Sequence, residues 1–330
     1  MSTITDHVRD ERTARIMLSI IADPADPTTG EVLCTHGGIE TLRFLESEGR
    51  VPTVDDTKAR IWRERLAPKL DLGVLATADG YQQLGFNTLI PGDQHWPKAL
   101  ASLGVREPYL LWVKGATSFL SMPLSDRVAI TGMRASTNYG NHVATDMAQE
   151  LAQHERILVA GGAYGIESAA NHGAMSVGGQ VIVVMGNGLD HRYPSFEKPV
   201  LDAIGDVGLL VSEVPPSTSP RRGQLLARHR LIAALAGATV VVEAAMRSGA
   251  INIAAEAISM GRKVGAVPGP VTSVSSYTPH ELIRQGVGSL VTNASDVLYL
   301  LDHRERGAGR SFLNVDRPMN RSVEPTALSL

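Results

Sequence analysis

Seven short apolar runs, each separated from the next by a stretch of helical periodicity, constrain this chain more than any other feature. The runs fall at 128–131, 157–160, 181–185, 208–212, 239–243, 264–267 and 289–291. Helical patterns lie between them at 139–153, 166–177, 196–204, 225–235, 250–260 and 280–285. Strands that are apolar throughout must be covered on both faces, and strands that alternate with helices pair in parallel. Crossovers in such sheets are right-handed, so the pattern predicts an α/β fold built on a doubly wound, mostly parallel sheet.

Two other zones flank this region. Residues 1–85 carry three apolar helical stripes: Ile16, Met17, Ile20 and Ile21; then Ile39, Leu42, Phe44 and Leu45; then Ile61, Trp62 and Leu66. They predict a small N-terminal helical module, of the SAM or helix–hairpin–helix kind. Residues 86–120 read as a connector, with strands at 86–90 and 109–113 and a short helix starting near Trp96. Residues 303–330 are rich in Arg, Ser, Asn and Pro and poor in apolar side chains, which predicts a disordered polar tail.

With 43% hydrophobic residues the chain can build a substantial core, so wholesale disorder is excluded. The single cysteine, Cys34, excludes an internal disulfide and a cysteine-cluster zinc site, and fits a reducing cytoplasm. No run of about 18 apolar residues exists, so no membrane span is expected. The polar N-terminus does not read as a secretory signal. A net charge of −3 excludes a protein coated in positive charge, but not a local basic groove.

In an open parallel sheet, ligands bind beyond the carboxyl ends of the strands. Gly132, Met133, Arg134, Ala135, Ser136 and Thr137 follow the first strand, and Gly161, Gly162, Ala163, Tyr164 and Gly165 follow the second. Gly186, Asn187, Gly188, Leu189 and Asp190 follow the third; Arg247, Ser248 and Gly249 come after the fifth. Glycine lets a ligand approach backbone N–H groups, and the helix that follows aims its free donors at the same place. The loops therefore predict an anion site, to which Arg134 adds a fixed positive charge. Ser136 and Thr137 can donate to a phosphate or simply cap a helix.

The segment 214–242 contains no Asp or Glu but holds Arg221, Arg222, Arg228, His229 and Arg230. Arginines near the start of a core helix with no acid between them build positive potential suited to several phosphates. With only 5% aromatic residues, phosphate contacts should outweigh base stacking. No ATP-binding P-loop, no G-x-G-x-x-G, no H-E-x-x-H, no C-x-x-C and no G-x-S-x-G occurs, and no nucleophile–base pair is evident. Neither a metal nor a cofactor is expected.

At these residues the chain resembles the DNA processing protein A family (DprA, also called Smf), over roughly 86–302. Gly132, Met133, Arg134 and Ser136 with Tyr139 and Gly140 are similar to its G-S-R-x-x-S-x-Y-G. Gly161 to Glu167, followed by His172 and Ala174, is similar to S-G-x-A-x-G-I-D and A-H-x-x-A. Gly186, Gly188, Leu189 and Asp190 with Tyr193 and Pro194 resemble G-x-G-L-D-x-x-Y-P. Ser212 and Glu213 resemble its S-E, and Arg228 to Ala233 its R-N-R-I-I-A; Glu243, Ser248, Gly249, Pro268 and Gly269 complete the series. The departures are Met133 for a small residue, Glu167 for Asp, Leu225 and Leu226 for Phe-Pro, and His229 for Asn. They keep the charges and bear on the shape of the pocket.

The resemblance implies an extended Rossmann-like fold that forms a homodimer, binds single-stranded DNA, protects it and hands it to the RecA recombinase during natural transformation. It implies binding and loading rather than catalysis. Combined with the loops above, it marks Gly132, Arg134, Ser136, Gly161, Gly162, Tyr164, Gly165, Gly188, Arg192, Arg221, Arg228, His229, Arg230, Ser248 and Gly249 as the DNA-contacting set. The alternative is a nucleotide hydrolase of the lysine-decarboxylase-like (LOG) type, in which Glu213 or Glu243 would take part in the chemistry. Against it, Pro268, Gly269 and Pro270 do not continue into the P-G-G-x-G-T of those enzymes. In the binding reading Glu243 holds Arg228 or Arg230 in place.

Overall fold

The apolar runs become strands flanked by turn residues, and all but the last, at the exposed edge, are buried for most of their length. The computed structural model describes residues 3–191 and 193–302. The strands are β1 (Asn87–Leu89), β2 (Leu111–Gly115), β3 (Arg127–Thr131), β4 (Ile157–Ala160), β5 (Val181–Met185), β6 (Leu209–Ser212), β7 (Ala238–Val241), β8 (Lys263–Ala266) and β9 (Ser289–Leu290). They form one sheet in the order β1-β2-β6-β5-β4-β3-β7-β8-β9. Pairing is parallel from β6 through to β9, whereas β1 and β2 add an antiparallel extension beside β6. The two connector strands thus join the main sheet at one edge. The fold is the expected Rossmann-like, mostly parallel α/β sheet.

The helices are α1 (Glu11–Ile21), α2 (Pro27–Glu46), α3 (Asp56–Leu66), α4 (Leu72–Gln83), α5 (Asn138–Gln153), α6 (Ile166–Ser176), α7 (Lys198–Val207), α8 (Arg222–Ala227), α9 (His229–Leu235), α10 (Gly249–Ser259), α11 (Tyr277–Arg284) and α12 (Ala294–Asp302). None of the described helices is long and apolar enough to cross a membrane. Side chains of β3 divide by the strand period of two. Val128 and Ile130 join the core that includes Ala144 and Met147 of α5 and Ala170 and Ala174 of α6. Ala129 joins the opposite core, with Leu231 and Leu235 of α9 and Ile253 of α10.

Four aspartates start the N-terminal helices. Asp10, Asp26, Asp55 and Asp71 accept backbone N–H bonds from Thr13, Thr29, Lys58 and Val74, three residues on in each case. Inside α2 the chain kinks at Gly37, and the Glu11 carboxylate caps the N–H of Gly38 beyond the kink. Of the predicted stripes, Ile16, Met17, Leu42, Trp62 and Leu66 are buried, but Ile61 is 53% exposed. Its helix turns Trp62 inward, which places the neighbouring residue about 100° round the axis. This helical layer is pinned to the sheet by Arg12, which holds both carboxylate oxygens of Asp93, and by Arg15, which donates to the carbonyl of Tyr109. Tyr81 adds edge-on ring contacts with Phe86 and Trp112.

The pair α5–α6 carries two of the helix starts that face the loops described next. Its close packing depends on Gly173: a Cβ there would lie 2.5 Å from the Thr145 carbonyl oxygen of α5. Gly173→Ala should therefore force the helices apart and destabilise the protein by about 1–3 kcal/mol, read as a lower midpoint in urea denaturation.

Candidate nucleic-acid interface at the switch point

The strand order reverses at β3. The chain leaves β3 through α5 to β4 on one side, while β7 pairs on the other. The loops that follow β3 and β7 therefore diverge, and a crevice opens between them, where α/β folds place their ligands. A cavity of about 650 Å³ fills it, lined by Gly132, Met133, Arg134, Arg222, Leu225, Arg228, His229, Arg247, Ser248 and Gly249 among others. Four arginines line it against a single acid, Glu167. Arg134, Arg222 and Arg247 are exposed, and none of them forms an ion pair among the described residues. A smaller neighbouring hollow is lined by Arg134, Gly162, Tyr164, Tyr193 and Arg228.

Arg228 forms the floor of both hollows and is 5% exposed. It donates to the carbonyls of Gly161 and Val184, and its guanidinium is 3.8 Å from the Glu167 carboxylate. Burial pushes its pKa down; Glu167 opposes that, and nearby Arg134 adds to it. Glu167 is itself fixed by the Thr131 hydroxyl at 2.9 Å and the Ala163 N–H at 3.0 Å. One carboxylate thus ties the end of β3, the loop after β4 and the buried cation together.

His229 sits beside Arg228, against Gly249, and its buried Nδ1 has no partner among the described residues. Burial, reinforced by Arg228, pushes its pKa down to about 4, so the ring is neutral at physiological pH. Gly165 has φ +78°, a conformation suited to glycine, and a Cβ there would lie 2.5 Å from the Arg134 carbonyl oxygen. It therefore supports the Arg134 loop from below.

The site residues expected from the sequence separate into two groups. Gly132, Arg134, Arg228, His229, Ser248 and Gly249 meet in the larger cavity, and Gly162 and Tyr164 join Arg134 and Arg228 in the smaller. Ser136, Gly161, Gly165, Gly188, Arg221 and Arg230 line neither. The Ser136 hydroxyl is held by the Asn141 side chain, and Gly188 is buried with its N–H on the Thr218 carbonyl. Arg221 lies just before α8 and is exposed. Arg192 falls outside the described residues, as does the 303–330 tail.

Arg230 requires a correction. It is 2% exposed, forms a two-pronged ion pair with Glu213 at 2.6 Å, and donates to the carbonyls of Arg106 and Ala227. Its charge is answered inside the protein and cannot reach a ligand in the crevice. The partner expected for it, Glu243, instead accepts the Thr137 N–H and hydroxyl and the Ser275 hydroxyl, anchoring the start of α5. Both Glu213 and Glu243 are thus fully engaged as structural anchors.

Arg222 and Arg247 belong to the cavity but were absent from the expected set. Helical spacing could have found Arg222, because Arg222, Leu225, Leu226 and His229 fall at i, i+3, i+4 and i+7 on one face. Arg247 sits in a strand-end loop that the sequence already exposes.

Removing one partner of a buried ion pair leaves an uncompensated charge, so Glu213→Ala should cost about 3–5 kcal/mol in chemical denaturation. His229 contributes with a definite sign. Between its unfolded value of 6.5 and its folded value of about 4, the unfolded chain binds a proton that the folded chain does not. Stability from this residue therefore falls as pH drops through that window and is level above it. His229→Asn should flatten the fall in urea midpoint between pH 6.5 and about 4; an unchanged slope would show that the ring does not titrate this way.

Residues 87–302 match the family model described as DNA recombination-mediator protein A. A Mycobacterium tuberculosis protein named after DprA is 41% identical over 303 residues, 88% of this chain and 75% of that one. The DNA processing protein DprA of Bacillus subtilis is 31% identical over 241 residues, 73% of this chain and 78% of that one. Among solved structures, DNA processing protein A from Streptococcus pneumoniae superposes with a TM-score of 0.70 at 29% identity, covering 90% of this chain and 98% of that chain. DNA processing protein A from Helicobacter pylori, studied for its single-stranded DNA binding mode, gives a TM-score of 0.58 at 28% identity over 66% of this chain and 96% of that chain. By sequence and by fold, the chain belongs to the DNA recombination-mediator protein A (DprA/Smf) family.

Proposed function

We propose that the chain binds single-stranded DNA at the β3–β7 crevice, shields it, and passes it to the RecA recombinase in natural transformation and recombination. The observation that carries this reading is the set of exposed arginines Arg134, Arg222 and Arg247, without an ion pair among the described residues, around a cavity whose one acid among those residues, Glu167, already faces a buried arginine. A guanidinium with no internal partner is set to neutralise phosphates, and neutralising phosphates releases counterions. Glycine-rich loops let the strand come close to the backbone. The H. pylori relative's single-stranded DNA binding mode points the same way. The protein works as a homodimer in the cytoplasm, where its DNA and RecA partners are found.

In this reading the protein binds and does not catalyse. The carboxylates a nucleotide hydrolase would need, Glu213 and Glu243, are turned into the protein and hydrogen-bonded there. Incubation with nucleoside monophosphates should release no free base.

Binding of an oligo-dT strand, followed by fluorescence anisotropy over a salt series, should weaken steeply as salt rises. Arg134→Ala should lower affinity and reduce the slope of log K against log salt by about one. Binding that ignores salt, or a slope unchanged by Arg134→Ala, would remove the crevice from consideration.

A further inference from the structure

The opposite end of β3 holds a second cationic cavity. Five residues of strand separate the two ends, roughly 15 Å at about 3.3 Å per residue, so the second cavity is remote from the crevice. It measures about 520 Å³, within the range of small-molecule sites, and is lined by Trp96, Lys98, Ser121, Met122, Leu124 and Arg127 among others. No acid lines it.

Arg127 is the unusual member. It is 2% exposed, and among the described residues its side chain makes one long hydrogen bond, of 3.3 Å to the Leu120 carbonyl, and its buried Nε has no partner. The neighbouring carboxylate, Asp126, is engaged by Arg156 at 3.3 Å. Burial and the nearby Arg262 push the Arg127 pKa down to about 10 against the pull of Asp126, which still leaves it charged at neutral pH. The Nε of Arg262 is buried and unpartnered as well. Buried cations are ordinarily paired, because an unanswered charge in the interior costs several kcal/mol. Arg127 forms no ion pair among the described residues, and it borders an open cavity.

The rest of the wall suits an organic group. Trp96 is held by a bond from its Nε1 to Glu107 at 3.1 Å, which fixes the indole. Met122 is 44% exposed, and Lys98 is exposed with no ion pair among the described residues.

We propose that this cavity is a second binding site, for a small phosphorylated molecule of the nucleoside monophosphate class, its phosphate answering Arg127 and Lys98 and its ring lying against Trp96 and Met122. Neither the crevice nor its arginines take part.

Trp62 and Trp112 are each 1% exposed, so quenching of tryptophan fluorescence reports on Trp96. The test titrates the full chain carrying Arg134→Ala, which disables the crevice, with AMP, dTMP, inorganic phosphate and adenosine. AMP and dTMP should quench saturably, phosphate should bind more weakly, and adenosine should not bind. Lys98→Ala should weaken AMP binding about tenfold, the loss of one charge-assisted contact. Arg127→Met should abolish it while the circular dichroism spectrum stays native. Should that variant unfold, Lys98→Ala and calorimetric titration still decide. No binding of either nucleotide at millimolar concentration, or AMP binding indifferent to Lys98→Ala, overturns the proposal. Inorganic phosphate binding as tightly as AMP overturns the assignment to a nucleotide.

Discussion

The reversal of strand order at β3 is the constraint on which the site depends. A parallel sheet wound in one direction would send every loop the same way and leave no gap. Because β4 and β7 flank β3 on opposite sides, the connections part and a cavity opens between them. The helix starts of α6 and α10, the glycine-rich turns and the free arginines all lie where the chain is obliged to open.

Around that opening the arginines perform two different tasks. Arg228 and Arg230 lie in a low-dielectric interior, where a charge must be answered locally, and Glu167 and Glu213 answer them. Their work is to fix the floor and the α9 seat. Arg134, Arg222 and Arg247 lie at the rim, exposed to water and without an ion pair among the described residues, so their field extends outward. A chain with a net charge of −3 can therefore present a positive face to a polyanion. The acids are elsewhere, many of them paired with arginines of the helical layer, as in Arg12–Asp93 and Arg65–Asp26.

Much of the fold was legible because burial on both faces leaves continuous apolar runs. The runs at 157–160 and 181–185 coincide with β4 and β5. The antiparallel extension was not legible, since which edge a connector strand joins is decided by tertiary packing of residues such as Trp112 against the helical layer. The helix α12 is hard to read because Val297 to Leu301 are apolar without a break, which hides the helical spacing; its start is marked by Asn293, whose side chain accepts the Asp296 N–H. At the cavity, the sequence marked the loops and the arginine segment that line it, but not which arginines stay exposed. Arg228 and Arg230 are two residues apart and both buried, yet only Arg228 borders the cavity, which exposed Arg222 also lines. The caps Asp10, Asp26, Asp55 and Asp71 were readable and would have defined all four N-terminal helices.

Glu167 stands where the related motif has the shorter aspartate. Its carboxylate reaches the Thr131 hydroxyl, the Ala163 amide and the Arg228 guanidinium at once. An acid one methylene shorter could keep all three only if the first turn of α6 moved toward the tip of β3. The longer acid therefore spans the distance between the first turn of α6 and the end of β3, and the neutral imidazole of His229 lies close by. The two exchanges, one lengthening an acid and one replacing an amide by a ring, thus fall beside the same buried guanidinium of Arg228.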